Sequence, residues 1–366
     1  MAPNLKTLLF LKKLFERLNV TLKCPAKPKS LWLLVCMVTF SFALCGQLRH
    51  VDAQANKPKW KSNATLRNIQ KFTVPEVGAC QGVAIVNNKL YFYGDRYDVT
   101  PRQGIIKEYN LDMKPTGRQL WLNQNKTPQL THPTGIAYLD KNNVFIGNTV
   151  KQKGTIFLID WELAWQDGNL DRAIKHEVVD DKMINGCRPA LVAVNGRRLI
   201  ATSDYGNQGN EIRLYDPMVL AKESKTSAAG VLVRNFLCGP FNQNLHWDAE
   251  AGKIVCVQNV VAGRGWRLQT LSPSLSELMS QPAASEKPDQ VVDLSGSPSL
   301  VFSPPTELEG YCQLPNGKSL FVTARRRNNV VIADIVEPQQ DVGPQQDVGP
   351  QQDVGPQQED PLPLID

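Results

Sequence analysis

A hairpin that recurs five times constrains this chain more than any other feature. The segments Gln81 to Asp95, Thr134 to Asn148, Pro189 to Asp204, Gln243 to Asn259 and Glu309 to Arg325 share one grammar. Each has a short apolar strand, a turn rich in Asn, Gly, Asp or Lys, and a second apolar strand ending in a polar residue. Turns of that composition between apolar runs are hairpin chemistry. The equivalent positions Gly82, Gly135, Ala190, Asn244 and Gly310 lie 53, 55, 54 and 66 residues apart.

Two further strand patterns follow each of the first four hairpins, for example Ile105 to Tyr109 then Gln119 to Trp121. A four-stranded unit of this size cannot bury both its faces alone. Repeated units of about 40–50 residues solve that by closing into a ring, the signature of a β-propeller. The fifth unit supplies only three strands, the last being Asn329 to Ala333; the segment Leu66 to Val74 is free to serve as the fourth. Such closure joins the two ends in one blade and leaves no exposed sheet edge. The expectation is an all-β fold, a five-bladed β-propeller within residues 54–337, closed by an N-terminal strand in the last blade. A six-bladed ring is the alternative and needs a blade that the sequence does not show. Ser272 to Pro305 reads as a long insertion, and no long amphipathic helix competes.

Outside the repeats the chain is of another kind. Residues 1–53 carry eight Lys/Arg against Glu16 and Asp52, which accounts for the whole net charge of +6. Most of these bases precede the apolar run Leu31 to Cys45. Basic residues stay on the cytoplasmic side, so this is a signal peptide, with cleavage fitting before Gln54, or an uncleaved signal anchor tethering the chain to a membrane through residues 31–45. The expected location is secreted or periplasmic, or membrane-anchored with the propeller outside the cytoplasm. Residues 338–366 repeat QQDVGP and cannot build a core, which reads as a disordered tail. Residues 54–337 hold only a mild +6 without a basic stripe, which argues against a nucleic-acid partner. Beyond position 54 the cysteines are Cys80, Cys187, Cys238, Cys256 and Cys312, an odd set without CxxC spacing. One or two disulfides are compatible with export; buried free thiols suit Cys256 and Cys312.

In a propeller, the loops leading into the innermost strands and those leaving the second strands open on one face, where side chains converge on the axis. The residues leading in are Gln81, His132 with Thr134, Arg188, Asn242 with Gln243, and Glu307 with Glu309; those at the exits are Asp95, Asn148, Asp204, Asn259 and Arg325. Hard cations take oxygen ligands, so Asp95, Asn148, Asp204, Asn259 and Glu309 form a candidate Ca²⁺ set. The competing reading is that Asp and Asn at strand ends satisfy nearby backbone donors. His132 is the candidate general base, or else a loop cap. Arg188 is a candidate clamp for an anionic group, or a structural partner of Asp204. Gln81, Thr134, Gln243 and Arg325 are candidate ligand contacts. Asp95 with Asp204 admits a glycosidase reading. Trp247 and Trp266 either fill space between blades or stack on a sugar. The chain has no GxSxG, P-loop, HExxH or GxGxxG.

The Glu309-Gly310 pair leading into a hairpin, with Asn148, Asp204 and Asn259 at strand exits, resembles the calcium centre of gluconolactonase/regucalcin-like propellers. The resemblance implies hydrolysis of lactones and related esters through a central divalent metal held by those residues, with His132 near the substrate. That family has six blades, and Arg325 stands here where an acid would add a ligand. A looser likeness, to exported propellers of NHL or surface-layer-associated type, needs only the repeat. The functional expectations are therefore three: a binding module for a small molecule, glycan or protein, a calcium-dependent lactonase-like hydrolase, or a carboxylate-pair glycosidase.

Overall fold

The structure, a computed structural model, describes residues 59–261, 264–273, 289–294 and 306–337. The leader, the apolar run 31–45 and the QQDVGP tail lie outside the described residues, as does most of the insertion after Ser272. Strands β1 (Lys59–Asn63) and β2 (Thr65–Phe72) come first. The first blade is β3 (Ala79–Val86), β4 (Lys89–Arg96), β5 (Gln103–Asn110) and β6 (Pro115–Trp121). A small ribbon, β7 (Asn123–Gln124) and β8 (Thr127–Pro128), precedes the second blade. That blade is β9 (Pro133–Asp140), β10 (Asn143–Val150), β11 (Lys153–Ile159) and β12 (Ile174–Val179), with helix α1 (Trp161–Asp167) in its last connection. The third is β13 (Ala190–Val194), β14 (Arg197–Ser203), β15 (Glu211–Tyr215) and, after the short helix α2 (Pro217–Leu220), β16 (Leu232–Leu237). The fourth is β17 (Asn242–Asp248), β18 (Lys253–Val261), β19 (Arg264–Leu271) and β20 (Gln290–Asp293). The last is β21 (Leu308–Gln313), β22 (Ser319–Thr323) and β23 (Val330–Val336), completed by β2.

The inner strands β3, β9, β13, β17 and β21 each pack on the next, and β21 packs back on β3, so five blades close the ring. The six-bladed alternative is not realised. Closure is by the expected strand: β2 runs antiparallel to β23, with Thr65 opposite Val336 and Phe72 opposite Val330. The side chain of Asn329 adds a clasp, accepting from the Val74 amide at 2.8 Å and donating to the Val74 carbonyl at 2.9 Å. One strand was not foreseen. β1 adds in parallel to β20 as a fifth strand of the fourth blade.

Local chemistry explains the hairpins. The turns Asn87-Asn88 and Asn195-Gly196 hold both central residues at positive φ, the geometry that matches strand twist and that Asn and Gly tolerate best. Apolar faces of neighbouring blades then interdigitate. Trp266, fully buried, stacks on Phe321 with ring centroids 5.6 Å apart, so this tryptophan fills space between the fourth and last blades. The ring is tight at its axis: a Cβ on Gly310 would sit 2.8 Å from the Gly82 Cα, so only glycine lets β21 and β3 approach this closely. All five cysteines of the described residues are free thiols, with Cys80, Cys187, Cys256 and Cys312 buried; no disulfide forms among them.

One half-buried group makes the fold acid-sensitive. His246, on β17, lies edge-on to Tyr311 with centroids 5.5 Å apart. Burial pushes its pKa down from 6.5 to about 4, opposed by Asp248. A lowered folded-state pKa means the stability it confers is present above pH 6.5 and is lost as pH falls toward 4. The expected loss is up to about 3 kcal/mol. Urea unfolding at pH 7 and pH 4 measures it, and His246→Gln should flatten that part of the profile.

Candidate functional site

The face where inner strands begin and second strands end gathers the expected residues. They fall into two clusters and a set of backbone fasteners. In the first cluster Asp95, at the end of β4, is buried with Oδ2 2.7 Å from Nδ1 of His132. Arg102, from the loop before β5, donates to the same carboxylate oxygen and lies 3.2 Å from the imidazole. Asp95 Oδ1 is buried without a hydrogen-bond partner. The imidazole is thus oriented by a carboxylate on one nitrogen, and the first and second blades each contribute.

The second cluster spans the other three blades. Arg188, buried ahead of β13, donates from Nε to the Gln243 carbonyl at 2.9 Å and from Nη2 to the Gln243 side chain at 3.3 Å. Gln243 donates in turn to Glu307 at 2.5 Å, and the Tyr205 hydroxyl reaches the same carboxylate oxygen at 3.2 Å. The Arg188 guanidinium lies 5.3 Å from the Tyr205 ring centre, and Tyr205 packs on Phe241 at 5.7 Å. Arg188 Nη1 is buried with no hydrogen-bond partner. Glu309 is only 4% exposed, and among the described residues no hydrogen bond reaches its carboxyl. Burial, then the neighbouring Glu307 charge, pushes the Glu309 pKa well up, against the pull of Arg188; Asp95 adds to the repulsion and so ties the two clusters electrostatically. Burial also lowers the Arg188 pKa, opposed first by Glu309.

The other exits serve the backbone. Asn148 accepts from the His132 amide at 3.0 Å. Asn259 accepts from the Leu308 amide at 3.1 Å and donates to the Leu308 carbonyl. Thr134 donates to the Cys187 carbonyl. Asp204 is fully buried and encased: Oδ1 takes the amides of Ile184 and Asn185, Oδ2 takes the Glu211 amide, and Arg213 grips both oxygens at 2.7 and 3.1 Å. The partner of Asp204 is therefore Arg213 and not Arg188. A carboxylate so committed has no capacity left for a glycosidic oxygen or a cation, and with Asn148 and Asn259 tied to backbone the proposed calcium set does not converge. Among the described residues no group of three or more His, Cys, Asp or Glu side chains could hold a metal ion. Gln81 lies half-buried on β3, and Arg325 half-buried just beyond β22.

Four participants escaped the sequence reading: Arg102, Tyr205, Phe241 and Arg213. Arg213 left a signal, a base set between the apolar Ile212 and Leu214 in mid-strand. Arg102 and Tyr205 are loop residues without periodicity and left none.

The fold and these clusters define the class: a five-bladed β-propeller with polar side chains gathered at one end of its axis. No protein-family model matches the chain, and no curated protein matches it. Among solved structures it is similar to a glucose dehydrogenase at 13% identity and TM-score 0.42, covering 73% of this chain and 99% of that one. A structure described as a putative gluconolactonase is 11% identical with TM-score 0.36, covering 76% and 95%. Hydrazine synthase of Kuenenia stuttgartiensis is 10% identical with TM-score 0.36, and this chain spans 56% of its length. None of these likenesses assigns an activity.

Proposed function

We propose that this protein is a binding module that takes a saccharide or similarly hydroxyl-rich small molecule at this end of the axis. The observation that carries the reading is the unpartnered polarity there. Arg188 Nη1 and Asp95 Oδ1 are both buried without a hydrogen-bond partner. Native structures rarely leave such groups unpaired, because each costs about 1–3 kcal/mol. A ligand rich in hydroxyls pairs both. The Glu309 carboxyl, in the field of Arg188, adds acceptor oxygens for the same hydroxyls. The Tyr205 ring beside Arg188 offers a face for a sugar ring.

Saturation-transfer NMR and calorimetric titration with neutral and acidic mono- and oligosaccharides test this. At least one should bind, and Glu309→Gln or Arg188→Met should weaken it by about tenfold or more. Failure of the whole panel, or affinity untouched by both substitutions, sinks the proposal.

A second reading, hydrolysis of a bound ester or lactone, is favoured by the Asp95–His132 contact of 2.7 Å. A carboxylate on Nδ1 fixes the tautomer that leaves Nε2 as the base. His132→Gln should then abolish turnover of a lactone panel while saccharide binding persists; absence of turnover by the unaltered protein removes this reading.

A further inference from the structure

A second opening in the ring lies at the other end. A chamber of about 610 Å³ enters the axis from the side of the inner hairpin turns, reached by Asn87, Glu250 and Gly317. All five blades contribute to it. Apolar side chains, including Ala84, Ile85, Ile136, Leu191, Leu245 and Trp247, make up the larger part of its walls. Several of these, Ala84, Ile85, Leu191 and Trp247 among them, keep part of their surface accessible, although each belongs to an innermost strand. At the inner end of the chamber the Asn244 side chain donates to the Tyr93 hydroxyl at 2.6 Å, a buried bond that ties the first blade to the fourth. The chamber is thus distinct in place and chemistry from the polar side chains at the opposite face, and it does not depend on the function proposed there.

We infer that this chamber is a second binding site, for a neutral and largely apolar small molecule. Size is the first reason: pockets that enclose small organic ligands run from about 300 to 1,000 Å³, and this one falls between. Charge is the second. The charged side chains lining the chamber are Arg198, Asp248 and Glu250. Arg198 is engaged with the Leu139 carbonyl, and Asp248 holds the Ala251 amide of its own turn at 2.9 Å. Glu250 is exposed on that turn. No salt bridge joins these three to anything among the described residues, and one base against two acids gives no field that would select an ion. The third reason is the wall itself. Apolar side chains from all five blades that still keep accessible surface gain from covering it, since apolar area removed from water is favourable in proportion to its extent. Among the polar side chains along the wall, the half-buried His246 imidazole offers a donor and an acceptor for a carbonyl or hydroxyl of the guest.

The test is a titration of the full chain with Nile red, a neutral planar dye whose emission shifts to the blue in apolar surroundings. The expected result is saturable one-to-one binding with a dissociation constant on the order of 10 µM. Ala84→Trp and Leu191→Trp fill the chamber, and each should weaken binding at least tenfold while the melting temperature stays within a few degrees. Arg188→Met, at the opposite face, should leave the dye affinity unchanged. Should the filled variants not fold, hydrogen exchange of the unaltered protein with and without dye decides the matter. Protection is expected in peptides covering residues 83–87 and 245–250. No saturable binding, equal affinity in the filled variants, or protection confined to other peptides overturns the inference.

Discussion

Arg213→Met should lower the unfolding free energy by about 3–5 kcal/mol, the range for removing one partner of a buried ion pair. Arg213 is 1% exposed and feeds a network that the methionine cannot replace. Its two terminal nitrogens grip Asp204, Nη2 also donates to the Gly186 carbonyl at 3.2 Å, and Nε donates to the Tyr215 hydroxyl at 3.0 Å. Tyr215 passes its own proton to Asp180 at 2.8 Å, and Thr226 donates to the same carboxylate oxygen at 2.8 Å. Without the guanidinium, two buried carboxylates face each other's field unneutralised. Volume is nearly conserved by methionine, so the loss is electrostatic and not a cavity effect. Urea denaturation followed by circular dichroism measures it. Asp204→Asn keeps an acceptor for the amides of Ile184 and Asn185 but sets an NH2 donor against the Glu211 amide and Arg213, so it too should destabilise the fold. A drop below about 1 kcal/mol for Arg213→Met would show that Asp204 does not depend on this clamp. It would then return to the pool of side chains available to a ligand.

That outcome bears on how far a sequence discloses a site. Ring closure was legible because it follows from a deficit: five hairpins, four complete units and one lacking a strand, with one apolar stretch left over at Leu66 to Val74. The convergence of loops on one face was legible for the same topological reason. The chemistry was less so. Asp or Asn recurred at four strand exits, and the recurrence suggested a metal. Asn148 and Asn259 instead fasten the backbone where an inner strand begins, and Asp204 holds three backbone amides of its own blade. Periodic polarity therefore reports the scaffold. Arg188, Glu309 and His132, which do not repeat, meet at the axial end with one exit residue, Asp95, whose Oδ1 is buried without a partner. The apolar chamber was not legible at all, because its walls read as ordinary inner-strand hydrophobics. Only the distance between five strands decides whether they touch or leave a space. Strand β1 was missed because Lys59 to Asn63 is polar and short, and parallel addition at an outer edge demands no alternation.

Removing the closing strand should have the largest effect of any change to this domain. A chain that begins at Pro75 lacks β2, and with it Leu66 and Ala64, which are buried among Phe321, Val331 and Ala333. It also loses the Val74–Asn329 clasp and the contact of Asn68 with Asp334 at 2.6 Å. The strand β23 becomes an open edge, a template for pairing with another chain. Total stabilities of domains are about 5–15 kcal/mol, and losing a strand and its buried side chains from a closed ring is expected to consume that margin. The expected outcome is loss of cooperative thermal unfolding together with aggregation seen by light scattering, whereas a chain that begins at Lys59 melts as the full chain does. The decisive comparison is a permuted chain. Because Thr65 sits opposite Val336, a short hairpin turn can join Glu337 to Thr65 and carry β2 through Val74 as the new C-terminal segment. If position in the ring is what matters, the permuted chain recovers a cooperative transition with β2 entering from the other end. A truncated chain that melts cooperatively at an unchanged temperature would mean that three strands suffice for the last blade. The closure of the ring would then rest on the inner strands alone, on the contact of β21 with β3 across Gly310 and Gly82.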